Sequence, residues 1–174
     1  MSQRLNLEHY IRTIPDFPLP GIQFKDITPL LADGPAFNQV IAQFSERYAG
    51  QKIDAVVGIE SRGFIFSAPL AINLGVGLVP IRKPGKLPHH TLGVDYELEY
   101  GANRLEIHRD ALQPGARVVL IDDLLATGGT VGAACHLLEQ LGAEIVETAF
   151  VLELGFLNGR ARLGSRPVFS LITY

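Results

Sequence analysis

The residues with the strongest chemical character lie in one stretch, VVLIDDLLATGGT at 118–130. An apolar run delivers two adjacent carboxylates, Asp122 and Asp123, and the chain then enters a loop of small residues carrying two hydroxyls. In that loop Gly128 and Gly129 let the backbone curl so that successive N–H groups converge, while Thr127 and Thr130 add hydroxyl donors. A helix starting there directs its positive end at whatever the loop holds. These are the parts of a phosphate cradle. No lysine is present, so this is not the GxxxxGK[ST] nucleotide loop; the spacing Gly58 to Gly63 imitates that motif, but Phe64 stands where lysine is required. A carboxylate pair repels phosphate yet accepts hydrogen bonds from vicinal hydroxyls, directly or through hydrated Mg²⁺. Acid pair plus cradle therefore describes a ribose 5-phosphate site, with Asp122 and Asp123 at the sugar and residues 126–130 at the phosphate.

Basic groups supply a complementary chemistry. Arg82, Lys83 and Lys86 cluster in a chain whose formal charge is −3. At the end of a strand they would suit a pyrophosphate leaving group, whose growing charge needs stabilisation. Loop Glu60-Ser61-Arg62-Gly63 would add backbone N–H groups and Arg62. Phe24, in GIQFKDIT at 21–28, offers a ring for stacking on a flat apolar ligand, and Leu124 could close the other side. His89 and His90 are adjacent and have no accompanying ligand set, so they read as surface residues and not as a metal site. Cys135 reads as a small buried apolar residue, and Asp54 and Glu60 as strand caps.

The elements that must position these residues follow from periodicity. Phe37, Val40, Ile41, Phe44 and Tyr48 have helical spacing, predicting an amphipathic helix over 37–48. Strands are predicted at 54–59, 76–81, 117–121, 145–152 and 168–172, and helices at 63–74 and 129–141. Strands alternating with helices imply right-handed crossovers and an α/β fold: one domain, 1–174, with a mostly parallel central sheet flanked by helices. Ligands in such folds sit at the carboxyl ends of strands, which singles out loops 59–63, 82–90 and 122–130. Residues 14–35 hold five prolines and read as irregular chain across the surface. Residues 82–104 are charged and turn-rich and read as an irregular lid or binding loop.

Composition bounds the rest. At 174 residues, 47% hydrophobic and 19% charged, the chain has the balance of a single globular domain with a full core. Its negative charge argues against broad nucleic-acid binding. A single cysteine predicts a reducing, cytoplasmic home, and MSQRLNLEHYIRTI mixes charge and apolar residues too closely for a secretory leader. Residues 64–81 have no charge, but Pro69, Asn73, Gly75, Gly77 and Pro80 break the run, so it reads as buried core and not as a membrane span.

VVLIDDLLATGGT resembles the phosphoribosyl-pyrophosphate (PRPP) motif of type I phosphoribosyltransferases. PDFPLPGIQFKDITPLL (15–31), GIESRGFIF (58–66), IRKPGKLP (81–88), YELEYG (96–101) and LEIHRDAL (105–112) resemble, in order, segments of the branch of that family that uses adenine. The resemblance implies Mg²⁺-dependent transfer of a phosphoribosyl group from PRPP to adenine, giving AMP and pyrophosphate. It implies a hood over 1–35, a flexible lid over 82–104 and a cis peptide near Glu60–Ser61. It assigns Glu99 to adenine N7, with Tyr100 fixing the loop, because Ala126 stands where relatives acting on 6-oxopurines carry an aspartate. It puts main-chain contacts to adenine at Gln23 and Arg62, and implies a homodimer in which Arg82 reaches the neighbouring site. The rivals are transfer to hypoxanthine, guanine or xanthine, and a regulator that binds PRPP or a purine on the same fold. Ala126 and YELEYG oppose the first, and the lack of a spare DNA-binding element opposes the second.

Overall fold

The computed structural model describes residues 4–97 and 102–174, with the side chains of Glu97 and Ala102 left aside. The chain divides into two compact units, Met1–Arg47 and Tyr48–Tyr174.

In the first unit, β1 (Arg12–Pro15) and β2 (Gln23–Asp26) pair antiparallel, with Arg12 opposite Asp26 and Ile14 opposite Phe24. They are followed by α1 (Thr28–Ala32) and by α2 (Gly34–Tyr48). The predicted helix at 37–48 is therefore present and starts one turn earlier. The irregular segment predicted at 14–35 is not wholly irregular. Its prolines sit where they cost nothing to a two-stranded ladder: Pro15 ends β1, and Pro18 and Pro20 lie in the connection. Arg12 Nη2 meets Asp26 Oδ2 at 2.7 Å and Thr28 Oγ1 at 3.1 Å. The Thr28 N–H, then Arg12, hold the Asp26 carboxyl below its usual range.

The second unit carries a five-stranded sheet in the order β4-β3-β7-β8-β9, every pair parallel. Its strands are β3 (Ala55–Ile59), β4 (Gly77–Ile81), β7 (Arg117–Leu125), β8 (Glu144–Glu153) and β9 (Val168–Thr173). All five predicted strands are there. Every residue of β3 is buried, as expected of a parallel strand covered on both faces. The two helices are α3 (Gly63–Leu74), packed on β3, β4 and β7, and α4 (Gly129–Gln140), packed on β7 and β8. From β3 the chain winds outward to β4; from β7 it winds the other way through β8 to β9. The order reverses between β3 and β7, so the crevice at their carboxyl ends is the place where such a sheet binds ligands.

Residues 64–81 form α3, a left-handed turn at Gly75 and β4, as the punctuation predicts. Phe66, Leu70, Val79 and Ile81 are buried, but Ile72 is 79% exposed and Leu78 40% exposed. Leu78 lies on β4, the last strand in the order of the five-stranded sheet, and Ile72 on α3. Core placement therefore holds for one side of this segment only.

Residues 82–104 also depart from the irregular lid predicted for them. β5 (Thr91–Glu97) and β6 (Ala102–His108) form an antiparallel ribbon, with Tyr96 opposite Asn103. Alternation decides this in spite of the glycines and prolines: Leu105 and Ile107 are buried, with Leu92, Val94 and Tyr96 packed on the same core. Among the described residues of this stretch, 82–90 lacks regular structure apart from a bridge between Arg82 and Glu106.

Candidate active site

Three chain segments meet at the sheet's switch point and enclose a cavity of about 410 Å³. The loop after β3 contributes Glu60, Ser61 and Arg62; β7 and the turn into α4 contribute Asp122 to Gly128, Thr130 and Val131; the ribbon contributes Tyr96, Asn103 and Leu105, with Lys83 at its base.

β7 runs four residues beyond the strand predicted from sequence, through Leu125, so Asp122 and Asp123 are held by a strand and not by a loop. Gly63 opens α3 hard against them: a Cβ there would come within 2.9 Å of the Ile121 carbonyl and 3.0 Å of Asp122 Oδ1. The two acids differ. Asp123 is buried and receives Arg62 Nε on Oδ2 at 2.5 Å. Asp122 turns its Oδ1 back to accept the Asp123 N–H at 2.9 Å. Desolvation, and then the negative Asp123 beside it, push the Asp122 carboxyl well above the usual range, with Arg62 pulling the other way.

The turn that follows has the geometry of a cradle. Gly128 caps α4 with φ +84° and ψ 0°, a left-handed conformation suited to glycine. No side chain caps this helix end, so its leading N–H groups are not taken up by one and the positive end of α4 faces the cavity wall. Thr127 and Thr130 line the cavity, the Thr130 hydroxyl 3.5 Å from the Tyr96 hydroxyl. Ala126 and Leu124 line it as well, while Gly129 is buried as the first residue of α4.

The basic residues divide. Arg62 and Lys83 line the cavity; Arg82 and Lys86 are not among its lining residues. Arg82 instead gives Nε to Glu60 Oε2 at 3.1 Å and Nη2 to Oε1 at 3.3 Å, and Nη1 to the Lys86 carbonyl at 3.1 Å. The same Glu60 accepts the Lys83 N–H at 2.9 Å. Burial opposes ionisation of Glu60, but the Lys83 N–H and Arg82 outweigh it and hold the carboxyl below its usual range. Glu60 is thus the anchor of the basic loop. Its acidic charge three residues before a helix was the only sequence signal, and it reads equally as a strand cap.

The Glu60–Ser61 peptide is cis, as the family resemblance implies. Tyr96 and Asn103 enter the cavity by cross-strand pairing, which motif reading does not supply. Gln23 and Phe24 lie on β2 in the first unit; Phe24 is half-buried, with Phe17 edge-on at 5.1 Å. Glu99 and Tyr100 lie outside the described residues. Cys135 is fully buried in α4, and burial pushes its thiol up to about 11. Among the described residues no group of three or more His, Cys, Asp or Glu side chains is arranged to hold a metal ion.

Comparison with known proteins decides the family. The phosphoribosyl transferase domain model matches residues 30–163. An adenine phosphoribosyltransferase of Chloroflexus aurantiacus is 70% identical over 171 residues, 98% of this chain and 99% of that protein. The chain belongs to the adenine phosphoribosyltransferases. Solved adenine phosphoribosyltransferases share the fold. The enzyme of Thermoanaerobacter pseudethanolicus superposes with a TM-score of 0.93 at 53% identity, covering 97% of this chain and 98% of that one. That of Saccharomyces cerevisiae, complexed with an imino-altritol bisphosphate and adenine, gives 0.89 at 44% identity, covering 95% and 96%. The family's α/β architecture with a parallel five-stranded sheet is the one described above.

Proposed function

We propose that this chain transfers the 5-phosphoribosyl group of PRPP to adenine, releasing pyrophosphate and giving AMP, a purine salvage step. One observation carries the reading: the uncapped start of α4 at Gly128 and the Asp122–Asp123 pair open on the same cavity. A sugar phosphate satisfies both at once, its phosphate taking the helix N–H groups and its hydroxyls the carboxylates. The relatives named as adenine phosphoribosyltransferases support adenine over other bases.

The roles follow from this arrangement. Ala126 to Thr130 hold the 5-phosphate, and Asp122 and Asp123 hold the ribose. Arg62 and Lys83 meet the pyrophosphate; Arg82 and Lys86 join them once Arg82 leaves Glu60. Adenine, protonated on N7, attacks the anomeric carbon through N9 as the bond to pyrophosphate breaks, through an oxocarbenium-like centre, and the N7 proton passes to Glu99. The site acts by positioning and by stabilising the charge that leaves. Leu124 lines the base side, while Gln23, Phe24 and the main chain of Arg62 keep their adenine contacts on the resemblance. Glu99 attends N7 and Tyr100 steadies it, under a lid over 82–104 that excludes water.

The donor set fits Mg²⁺ delivered with its substrate. Two carboxylates facing a phosphate-binding cavity suit an ion that takes one or two protein oxygens and fills the rest with water and phosphate. Asp122 and Asp123 would hold it through water, and it would neutralise charge on the departing pyrophosphate.

A homodimer is part of the proposal, with the exposed Ile72 and Leu78 as apolar surface for it to cover. So is a cytoplasmic setting; no helix among the described residues is long and apolar enough to cross a membrane. Incubation with PRPP, Mg²⁺ and each purine base in turn should give a mononucleotide from adenine alone, and none when a chelator is added. Mononucleotide from hypoxanthine or guanine at a comparable rate would overturn the choice of base. Glu99→Gln turning over adenine as fast as the parent would overturn its role at N7.

A further inference from the structure

A second layer stands behind the cradle, on the side away from the cavity. After β8 the chain turns through Asn158, at φ +52°, into a short 3-10 helix, Gly159–Leu163. Gly159 is buried against the cradle backbone: a Cβ on it would strike the Ala126 carbonyl, and one on Gly128 would strike the Gly159 carbonyl. Neither residue can gain a side chain unless one backbone withdraws from the other.

The next residue fixes this turn to the sheet. Arg160 gives Nε and Nη2 to the two carboxylate oxygens of Glu153, each at 2.7 Å, and Nη1 to the Val168 carbonyl at 3.1 Å. Glu153 is only 5% exposed, and its Oε2 also accepts the Ser170 hydroxyl at 2.7 Å. It ends β8 directly opposite Leu125, the residue before the cradle, and the Leu154 N–H donates to the Leu125 carbonyl at 2.9 Å. A two-pronged pair of this kind fixes direction as well as distance. Arg160 holds Glu153 below its usual range, and Glu153 in turn raises Arg160, so both stay charged at neutral pH.

We infer that Gly159, clamped by the Glu153–Arg160 pair, is a positioning residue for PRPP, setting where the Ala126–Gly128 peptides stand. The inference rests on the reading of 126–130 as the 5-phosphate cradle. A displaced phosphate loop would weaken the substrate that carries the phosphate and spare the one that does not.

The test measures KM for PRPP and for adenine separately, with melting temperature, in Gly159→Ala, Arg160→Ala and Arg160→Lys. Thr127→Ala, in the cradle itself, serves as the control. Gly159→Ala should raise the PRPP KM about tenfold or more and leave the adenine KM within about twofold. Arg160→Ala should do the same less strongly. Arg160→Lys, which keeps the charge and loses the fork, should fall between Arg160→Ala and the parent and stays informative if the alanine variants fail to fold. Loss of melting temperature with both KM values unchanged, or an equal rise in both, overturns the inference. If Thr127→Ala raises the PRPP KM and Gly159→Ala does not, the clamp falls and the cradle stands. If neither moves it, the cradle reading falls and takes the clamp with it.

Discussion

The two sides of the cavity are built by different physics. On the side proposed for the sugar phosphate, Asp122 and Asp123 lie near the end of a strand held between β3 and β8, and the cradle is the start of a twelve-residue helix. Backbone geometry does the holding there, and little has to change when a ligand arrives. On the side proposed for pyrophosphate the two arginines are already partnered: Arg62 on Asp123, Arg82 on Glu60. An anion that binds either arginine must displace its carboxylate. In the proposed reaction the fixed half would hold the constant part of the substrate, and the pairing of Arg62 and Arg82 would keep those charges from standing bare between turnovers.

The largest effect should come from the fixed half. Asp122→Asn removes a charge that desolvation and Asp123 both disfavour, so catalysis and stability should move in opposite directions. kcat/KM for PRPP should fall about a hundredfold, the scale of a lost charged hydrogen bond, while unfolding in urea should show a gain of about 1 kcal/mol. The pH dependence has a definite sign. Because the folded-state pKa of Asp122 is raised, stability is lost as pH rises from the ordinary carboxylate range up to the raised value, and the loss is complete above it. The advantage of the variant should be full above the raised value and shrink as pH falls below it toward the ordinary carboxylate range, where Asp122 is protonated in both states. A constant advantage across pH would break the account of the buried pair.

Arg62 joins the halves, and Arg62→Ala should cost about tenfold in kcat/KM for PRPP by stripping both Asp123 and the anion of a partner. A loss confined to adenine would assign Arg62 to the base alone. Smaller still is Glu60→Gln. It releases the Arg82 guanidinium, and pyrophosphate KM in the reverse reaction should drop about threefold, as befits a part-exposed pair. An increase would mean that Glu60 holds Arg82 in its working position and does not restrain it. Outside both halves, the Ser67 hydroxyl is buried with no hydrogen-bond partner among the described residues, beneath Gly58. Ser67→Ala should leave activity alone and change stability by about 0.5 kcal/mol or less, in the favourable direction, by thermal melting.

The elements proposed to hold the sugar phosphate were almost entirely legible in the sequence, because they are contiguous. VVLIDDLLATGGT contains strand, acids, turn and helix start in order, and each follows from apolar runs, glycine and hydroxyl chemistry acting within a few residues. The pyrophosphate side was legible only in its residue types. That Lys83 faces the cavity while Arg82 turns to Glu60 depends on β3 and β4 lying side by side, which brings residues 22 positions apart into contact. Tyr96 and Asn103 reach the site through the pairing of β5 with β6, and a count of glycines and prolines obscured that ribbon.

Local pattern alone thus determined the two helices of the second unit, the five parallel strands and the glycine turn that opens α4, since each is decided by neighbours along the chain. The tertiary structure alone decided which charges neutralise one another, why Asp122 and Asp123 differ although adjacent, and that Gly159 stands behind Gly128. Those outcomes depend on burial and on the approach of distant backbone segments, and neither quantity is written in a run of adjacent residues.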